Sequence, residues 1–373
     1  MQSYPLTLQE VVSHFLCTAD LDSARAYGSG HINDSYFLKN SFGFQSDYLL
    51  QRINHHVFPN VPALMDNMLL VTEHLEKKIR TSGNGDPSKE VMTLIPTDTG
   101  AYYYQDSEGS YWRMFVFLSD TRSYDQVRTE KQAYEGGRAF GKFQSMLSDI
   151  PPGKLYPVIP DFHNVQYRLS QLQDAITADS RGRLKEVAAE LEVVRLYETS
   201  MQYFQQPEIQ AELPVRVTHN DTKFNNVLLD EHDEAQCVID LETVMDGYVA
   251  YDFGDAIRTI INTAAEDEAD RSKIQLNMPL FRAYTQGYLE AAGNFLTEAE
   301  IRSLMQGVLL LPYMQSVRFL TDYLNGDTYY KTQFEGHNLQ RARAQFQLVN
   351  MLDANRQEME AIIREGIQSY KAV

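Results

Sequence analysis

Apolar and polar positions alternate in short runs over the first part of the chain and recur at helical spacing over the rest. Leu6–Cys17 places Val11, Val12, Phe15 and Leu16 as a short amphipathic helix would. Ala26–Leu38 sets tight-turn residues between two strand-like pieces and predicts a hairpin with a glycine-rich tip. Asp47–Ile53 predicts a strand. Val61–Ile79, with Leu64, Met68, Val71 and Leu75 on one face, predicts a helix. Thr93–Ile95, Ala101–Gln105 and Tyr111–Leu118 read as further strands. After Leu118 the pattern becomes helical over Thr129–Leu147, crosses a link containing Pro151, Pro152, Pro157 and Pro160, and resumes over Leu184–Phe204. Short apolar strands follow at Val215–Thr218, Val227–Leu229 and Ala235–Asp240. From Asp252 the chain reads as mostly helical, with stops near Pro279, Gly293, Pro312 and Gly326. The pattern predicts an α+β protein of two lobes. Residues 1–118 form a small β-rich lobe with one helix and residues 119–373 a larger, mostly α lobe, the join being a natural nucleotide cleft.

A length of 373 residues suits two lobes better than one core. Apolar residues at 43% and charged residues at 23% are ordinary for a globular protein and argue against disorder. The net charge of -18 disfavours nucleic acid and anionic membranes as partners, yet a local cluster of donors can still hold phosphates. Cys17 and Cys237 stand far apart among apolar neighbours, as small buried hydrophobes do and disulfides do not. The N-terminal residues lack a basic stretch followed by an apolar run, and Val308–Leu311 is too short to cross a bilayer. A cytoplasmic protein is expected. Oligomeric state leaves no trace in the sequence.

The chemistry concentrates in Val217–Glu242. Asp221 is followed five positions later by Asn226 and then by the apolar Val227–Leu229, and a second strand ends in Asp240. Phosphoryl transfer needs a carboxylate to orient the acceptor hydroxyl and take its proton. It also needs an amide oxygen and another carboxylate to hold Mg²⁺ against the phosphates. His219-Asn220-Asp221 with Asn226 reproduces the spacing H-R-D-x-x-x-x-N of the protein-kinase catalytic loop, and Asp240 stands where the downstream metal-binding acid belongs. Asp221 is thus the candidate base, Asn226 and Asp240 the candidate Mg²⁺ ligands, and Lys223 a candidate to steady the transferring phosphoryl group. Each alone reads as a turn or cap residue; together, bracketed by apolar strands, they read as a site that uses ATP.

These residues, with Ile239–Arg258, resemble the aminoglycoside phosphotransferase and choline kinase superfamily, which implies a bilobal, protein-kinase-like fold. The match pairs Asp240 with Asp252, which the resemblance implies is the N-cap of a helix over Asp252–Thr263. Asp255 and Arg258 read as an ion pair on that helix. Tyr27–Asn33, His219–Lys223, Ile239–Thr243 and Met314–Tyr330 together are similar to the N-acetylhexosamine 1-kinases over nearly the whole chain. That resemblance implies phosphorylation of the anomeric hydroxyl of GlcNAc or GalNAc, with His31, Arg318 and Tyr329 beside the sugar. A choline, homoserine or aminoglycoside kinase, or a catalytically dead kinase fold that only binds, are the alternatives.

Gly28, Ser29 and Gly30 offer backbone N–H groups to a phosphate, or form a plain hairpin turn; His31 is a sugar contact or an exposed turn residue. The adenine is expected near Phe117 and Leu118. The strand lysine that clamps the α- and β-phosphates in kinases falls near Gln51, which carries no charge, and Arg52 projects to the opposite face. The cation that replaces it is left open, and Glu73 is the candidate acid on the helix. The competing reading of Arg318 is an ion pair with Asp322, its (i, i+4) neighbour. Tyr248 and Tyr251 flank the catalytic segment as possible stacking partners of a sugar.

Overall fold

The computed structural model describes residues 6–28 and 32–371. In chain order these form α1 (Leu6–Ser13), β1 (Ala19–Ala26), β2 (Asp34–Asn40), β3 (Tyr48–Ile53), α2 (Val61–Ser82), α3 (Pro87–Glu90), β4 (Tyr104–Gln105) and β5 (Tyr111–Val116). There follow α4 (Glu130–Leu147), α5 (Val165–Ala178), α6 (Ala188–Met201), α7 (Pro207–Glu212), β6 (Arg216–Thr218), β7 (Val227–Leu229), β8 (Ala235–Val238) and β9 (Met245–Gly247). The remainder is α8 (Val249–Ile260), α9 (Met278–Ala292), α10 (Glu298–Asn325), α11 (His337–Ala354) and α12 (Arg356–Lys371).

Two units emerge. The first holds residues 1–123 together with 153–159 and 227–245; the second holds 124–152, 160–226 and 246–373. The first unit is an antiparallel sheet in the order β1-β2-β3-β5-β4. Tyr48 and Leu50 of β3 and Trp112 and Met114 of β5 turn one face onto Leu8, Val11 and Val12 of α1 and onto Phe15 just after it. Alternation puts Gln51 and Arg113 on the other face, where Arg113 reaches Met68 of α2. β5 is therefore buried on both sides. Asn60 caps α2 by accepting from the N–H of Ala63 at 3.2 Å, and Gly83, at φ 67°, ends it. Asn67, on the buried side of α2, donates to the carbonyls of Tyr156 and Val244 at 2.8 and 3.3 Å, which ties the two later segments to this unit. Thr93–Ile95 is not a strand. It runs beside β5 through an isolated Leu94–Phe115 bridge, and Pro96, with no N–H, ends the pairing.

The second unit is mostly helical. α10 runs through Pro312, where a stop is expected, because Pro312 and most of its neighbours are buried and packing outweighs the cost of about 3 kcal/mol for a proline inside a helix. Glycines allow close crossings: a side chain at Gly254 of α8 would overlap the backbone of Gly307 on α10. The Leu184–Phe204 pattern resolves into a 3₁₀ turn at 184–186, α6, and a second 3₁₀ turn at 203–205. No helix among the described residues is long and apolar enough to cross a membrane.

Candidate active site

The second unit holds the loop between β6 and the 3₁₀ turn Phe224–Asn226. Asn220 sits there at φ 65°, a left-handed conformation that costs a non-glycine residue about 1–3 kcal/mol unless its surroundings hold it. Asp252 supplies that hold. Its buried carboxylate accepts from the N–H of His219 at 2.9 Å, from the N–H of Asn220 at 2.7 Å and from Gln144 Nε2 at 2.7 Å. Asp252 is not the cap of its helix. α8 begins three residues earlier, with Tyr248 at the N-cap position, so the Asp252 side chain is free to brace the loop. Burial raises the Asp252 carboxyl above its ordinary value against the opposing effect of these donors. His219 is fully buried between the rings of Phe140 and Phe143, each 5.7 Å away, and its Nδ1 accepts from the N–H of Asp221 at 3.3 Å.

Asp221 is half-buried and paired with Lys223, Nζ to Oδ1, at 2.9 Å. Burial pushes its carboxyl up, but the Lys223 ammonium, helped by His219 and Arg258, outweighs this and the net shift is downward. Asp221 in turn raises Lys223. Both groups are charged through the neutral range. Asn226 Nδ2 donates to the backbone oxygen of Asp221 at 2.8 Å and to its Oδ2 at 3.3 Å, which leaves Asn226 Oδ1 without a partner among the described residues. The spacing of five residues therefore brings carboxylate and amide together in one loop.

Beside that loop lies a group of residues that sequence reasoning largely missed. His163 Nε2 lies 3.2 Å from the carbonyl of Asn220, and burial with nearby Arg318 pushes its imidazole down to about 3. Arg168 donates to the carbonyl of Phe162 at 3.2 Å and to Gln171 at 3.0 Å, and its Nε is buried with no partner among the described residues. Arg318 lies over Phe162 and Tyr330, 5.6 and 5.5 Å from the ring centres, and donates to Gln315 at 3.1 Å. It does not pair with Asp322. That carboxylate instead accepts the N–H groups of Thr328, Tyr329 and Tyr330 at 2.9, 2.8 and 2.9 Å and fixes the loop that carries Tyr329, whose ring is exposed. Tyr251 is buried against His163 and Phe204, while Tyr248, stacked on Phe204, is half-buried. His163 and Arg168 escaped notice because α5 and its approach show weak helical periodicity. Asp255 and Arg258 form the expected buried ion pair at 2.9 Å, extended by Glu266 at 2.7 Å.

The first unit holds Asp240, at φ 63°, just before the 3₁₀ turn Leu241–Thr243. Its carboxylate is exposed and has no hydrogen-bonding or ionic partner among the described residues. The Gln51 amide is committed at both ends: Nε2 donates to Ser35 Oγ at 2.9 Å, and Oε1 accepts from Arg113 Nε at 3.0 Å and Nη2 at 2.8 Å. A cation does stand on the Gln51 face of the sheet: Arg113, which is ion-paired with Glu242. Glu73 is exposed and takes no part in that pair. Arg52 pairs with Asp34 on the other side of the sheet. A charge in the middle of the apolar run Tyr111–Val116 was the available signal for Arg113. Phe117 donates its N–H to the carbonyl of Asp47 at 2.8 Å, and its ring meets Phe37 and Tyr27 edge-on at 4.9 and 5.2 Å, an apolar group with Leu118 next in the chain. Gly28 follows β1 at φ 81°. Ser29, Gly30 and His31 lie outside the described residues.

Residues 23–293 match the model of the phosphotransferase enzyme family, APH. Solved structures share the kinase-like fold. An aminoglycoside phosphotransferase from Alicyclobacillus acidocaldarius is 16% identical with a TM-score of 0.61, covering 96% of this chain and 98% of its own. An amicoumacin kinase solved with AMP-PNP and Ca²⁺ is 11% identical with a TM-score of 0.58, covering 93% of each chain. A choline kinase from Cryptosporidium parvum Iowa II is 11% identical with a TM-score of 0.56, covering 94% of this chain and 91% of its own.

Proposed function

This chain belongs to the phosphotransferase enzyme family, and we propose that it transfers the γ-phosphoryl group of ATP to the anomeric hydroxyl of an N-acetylhexosamine, GlcNAc or GalNAc. The observation that carries the acceptor assignment is electrostatic. Arg168 and Arg318 stand beside the Asp221 loop with no carboxylate paired to either among the described residues. Burial and Arg318 together lower the Arg168 pKa, the mark of two cations sharing a site. A choline, aminopropanol or aminoglycoside cation would need the opposite charge there. A neutral sugar rich in hydroxyl and carbonyl oxygens suits paired guanidinium donors.

In this reading Asp221 orients the sugar hydroxyl and accepts its proton. Lys223 keeps Asp221 ionised and steadies the transferring group. Arg318 and Tyr329 hold the sugar, with His31 as a further contact. The phosphates are assigned to Gly28, Ser29, Gly30 and Gln51, and the adenine to Phe117 and Leu118. Asn226 and Asp240 are the residues that would hold Mg²⁺; oxygen donors of this kind suit a hard cation, which when bound neutralises phosphate charge. Cys17 and Cys237 are free thiols, in keeping with a reducing, ATP-supplied cytoplasm.

The test is ATP consumption with GlcNAc, GalNAc, choline, homoserine and kanamycin, with the product identified by phosphorus NMR. Turnover of a hexosamine to its 1-phosphate is expected. Turnover of choline or kanamycin with none of either hexosamine would overturn the acceptor assignment. Asp221→Asn should lower kcat by about 10²–10⁴-fold, the usual contribution of a positioned base, with nucleotide affinity retained. An Asp221→Asn enzyme as active as the parent would remove Asp221 from the mechanism.

A further inference from the structure

Ser35, Gln51 and Arg113 are register partners across β2, β3 and β5, so their side chains form one row on the face toward α2. The row is a continuous relay of hydrogen bonds, Gln51 to Ser35 at 2.9 Å and Arg113 to Gln51 at 2.8 Å, and it ends in the Arg113–Glu242 ion pair. Arg113 and Glu242 are only 2% and 4% exposed. Asn33 also donates to Glu242, while its Oδ1 accepts from the N–H of Asn54 at 2.9 Å. Glu242 lies two residues after Asp240, inside the turn that Asp240 opens in a left-handed conformation. On the far side of that turn, Val244 is tied to Asn67 of α2 at 3.3 Å. The turn is thus fastened on both sides while Asp240 itself points to solvent.

We infer that Arg113 and Glu242 are positioning residues that hold the Asp240 turn, so that the strand cation of this enzyme acts through the metal-binding carboxylate and not on the phosphates. In kinases at large a strand lysine pairs with a helix glutamate and touches the nucleotide phosphates directly. Here the guanidinium is shut off from solvent, its Nε and Nη2 donors are taken by Gln51 and Glu242, its Nη1 meets Met68 Sδ at 3.9 Å, and the partner acid lies on the Asp240 turn and not on the helix. Losing either partner leaves a buried charge uncompensated. The turn then relaxes and Asp240 leaves its left-handed conformation. This inference rests on Asp240 being a metal ligand.

The experiment measures Mn²⁺ affinity by electron paramagnetic resonance in the presence of AMP-PNP, alongside the binding of metal-free AMP-PNP. The variants are Asp240→Asn, Glu242→Gln and Arg113→Met/Glu242→Met. The double variant replaces the ion pair with apolar side chains, an exchange that buried pairs tolerate, so it keeps the unit folded if the single variants do not. Glu242→Gln and the double variant are each expected to weaken Mn²⁺ by about 10–100-fold, the usual effect of removing a partner behind a metal ligand, with metal-free nucleotide binding unchanged. If Asp240→Asn weakens Mn²⁺ but Glu242→Gln and a folded double variant bind it as the parent does, the positioning role is refuted. If Asp240→Asn itself binds Mn²⁺ normally, the metal-ligand assignment falls first. Equal loss of metal-free AMP-PNP binding in the double variant would mean that Arg113 serves the phosphates directly, and would also overturn the inference.

Discussion

Replacing Asp252 by Asn changes one atom in a carboxylate that organises the catalytic loop. Oδ2 accepts from Gln144 Nε2 and the His219 N–H at 2.7 and 2.9 Å, and Oδ1 accepts from the Asn220 N–H at 2.7 Å. An amide has a single oxygen. Placed at the Oδ2 position it keeps two donors, though as neutral bonds worth about 1 kcal/mol less each. Its NH₂ group then faces the Asn220 N–H, donor against donor, and the unsatisfied group costs about 1–3 kcal/mol. Against this, burial opposes the charge on Asp252, so the neutral amide recovers part of the loss. The net expectation is a destabilisation of about 2–3 kcal/mol. The functional cost is larger, because the Asn220 N–H bond holds that residue at φ 65°, next to Asp221. A base displaced by about 1 Å loses on the order of 100-fold in kcat. Urea unfolding gives the stability and steady-state kinetics gives kcat. An Asp252→Asn protein with the parent's unfolding midpoint and kcat would refute the reasoning outright. One that is less stable yet fully active would sever the proposed link from Asp252 through Asn220 to Asp221.

Lys223→Met removes the charge that holds the Asp221 carboxyl down, so the acid limb of kcat/KM should move to higher pH. In the parent, the stability contributed by Asp221 is complete above its unfolded-chain pKa and lost as pH falls through the lower folded value. An acid limb that does not move in Lys223→Met would show that Asp221 does not set it. Gly254→Ala puts a methyl group against the backbone of Gly307, where no rotamer change relieves the overlap. It should destabilise by about 1–3 kcal/mol or more, despite alanine's better helix propensity, and move Asp252 with α8. A thermal midpoint at or above the parent's would contradict that crossing.

The candidate site was legible in the sequence wherever its parts are close along the chain. Asp221, Lys223 and Asn226 meet because a five-residue loop can close on itself, and the apolar strands around them mark that loop. Asp240 is marked the same way, as an acid at the end of an apolar strand. Helix α2 declares itself by the periodicity of Leu64, Met68, Val71 and Leu75. Local rules failed where burial overrode them, as at Pro312, which does not break α10, and where a single residue cut a pattern short, as Pro96 does after Thr93–Ile95.

Tertiary structure alone decided the partners. Arg113 and Glu242 are 129 residues apart, and nothing in either neighbourhood predicts their meeting. Asp322 has Arg318 one helical turn away yet spends its carboxylate on the backbone of Thr328–Tyr330, which needs those N–H groups paired. Asp252 was expected to cap its own helix and instead braces a loop more than 30 residues earlier. The reason is common to all three. A buried charge settles where the most donors converge, and which donors converge is set by how helices and strands pack. The sequence by itself singled out the groups proposed for the phosphoryl chemistry; the packing of the chain decided what holds each of them in place.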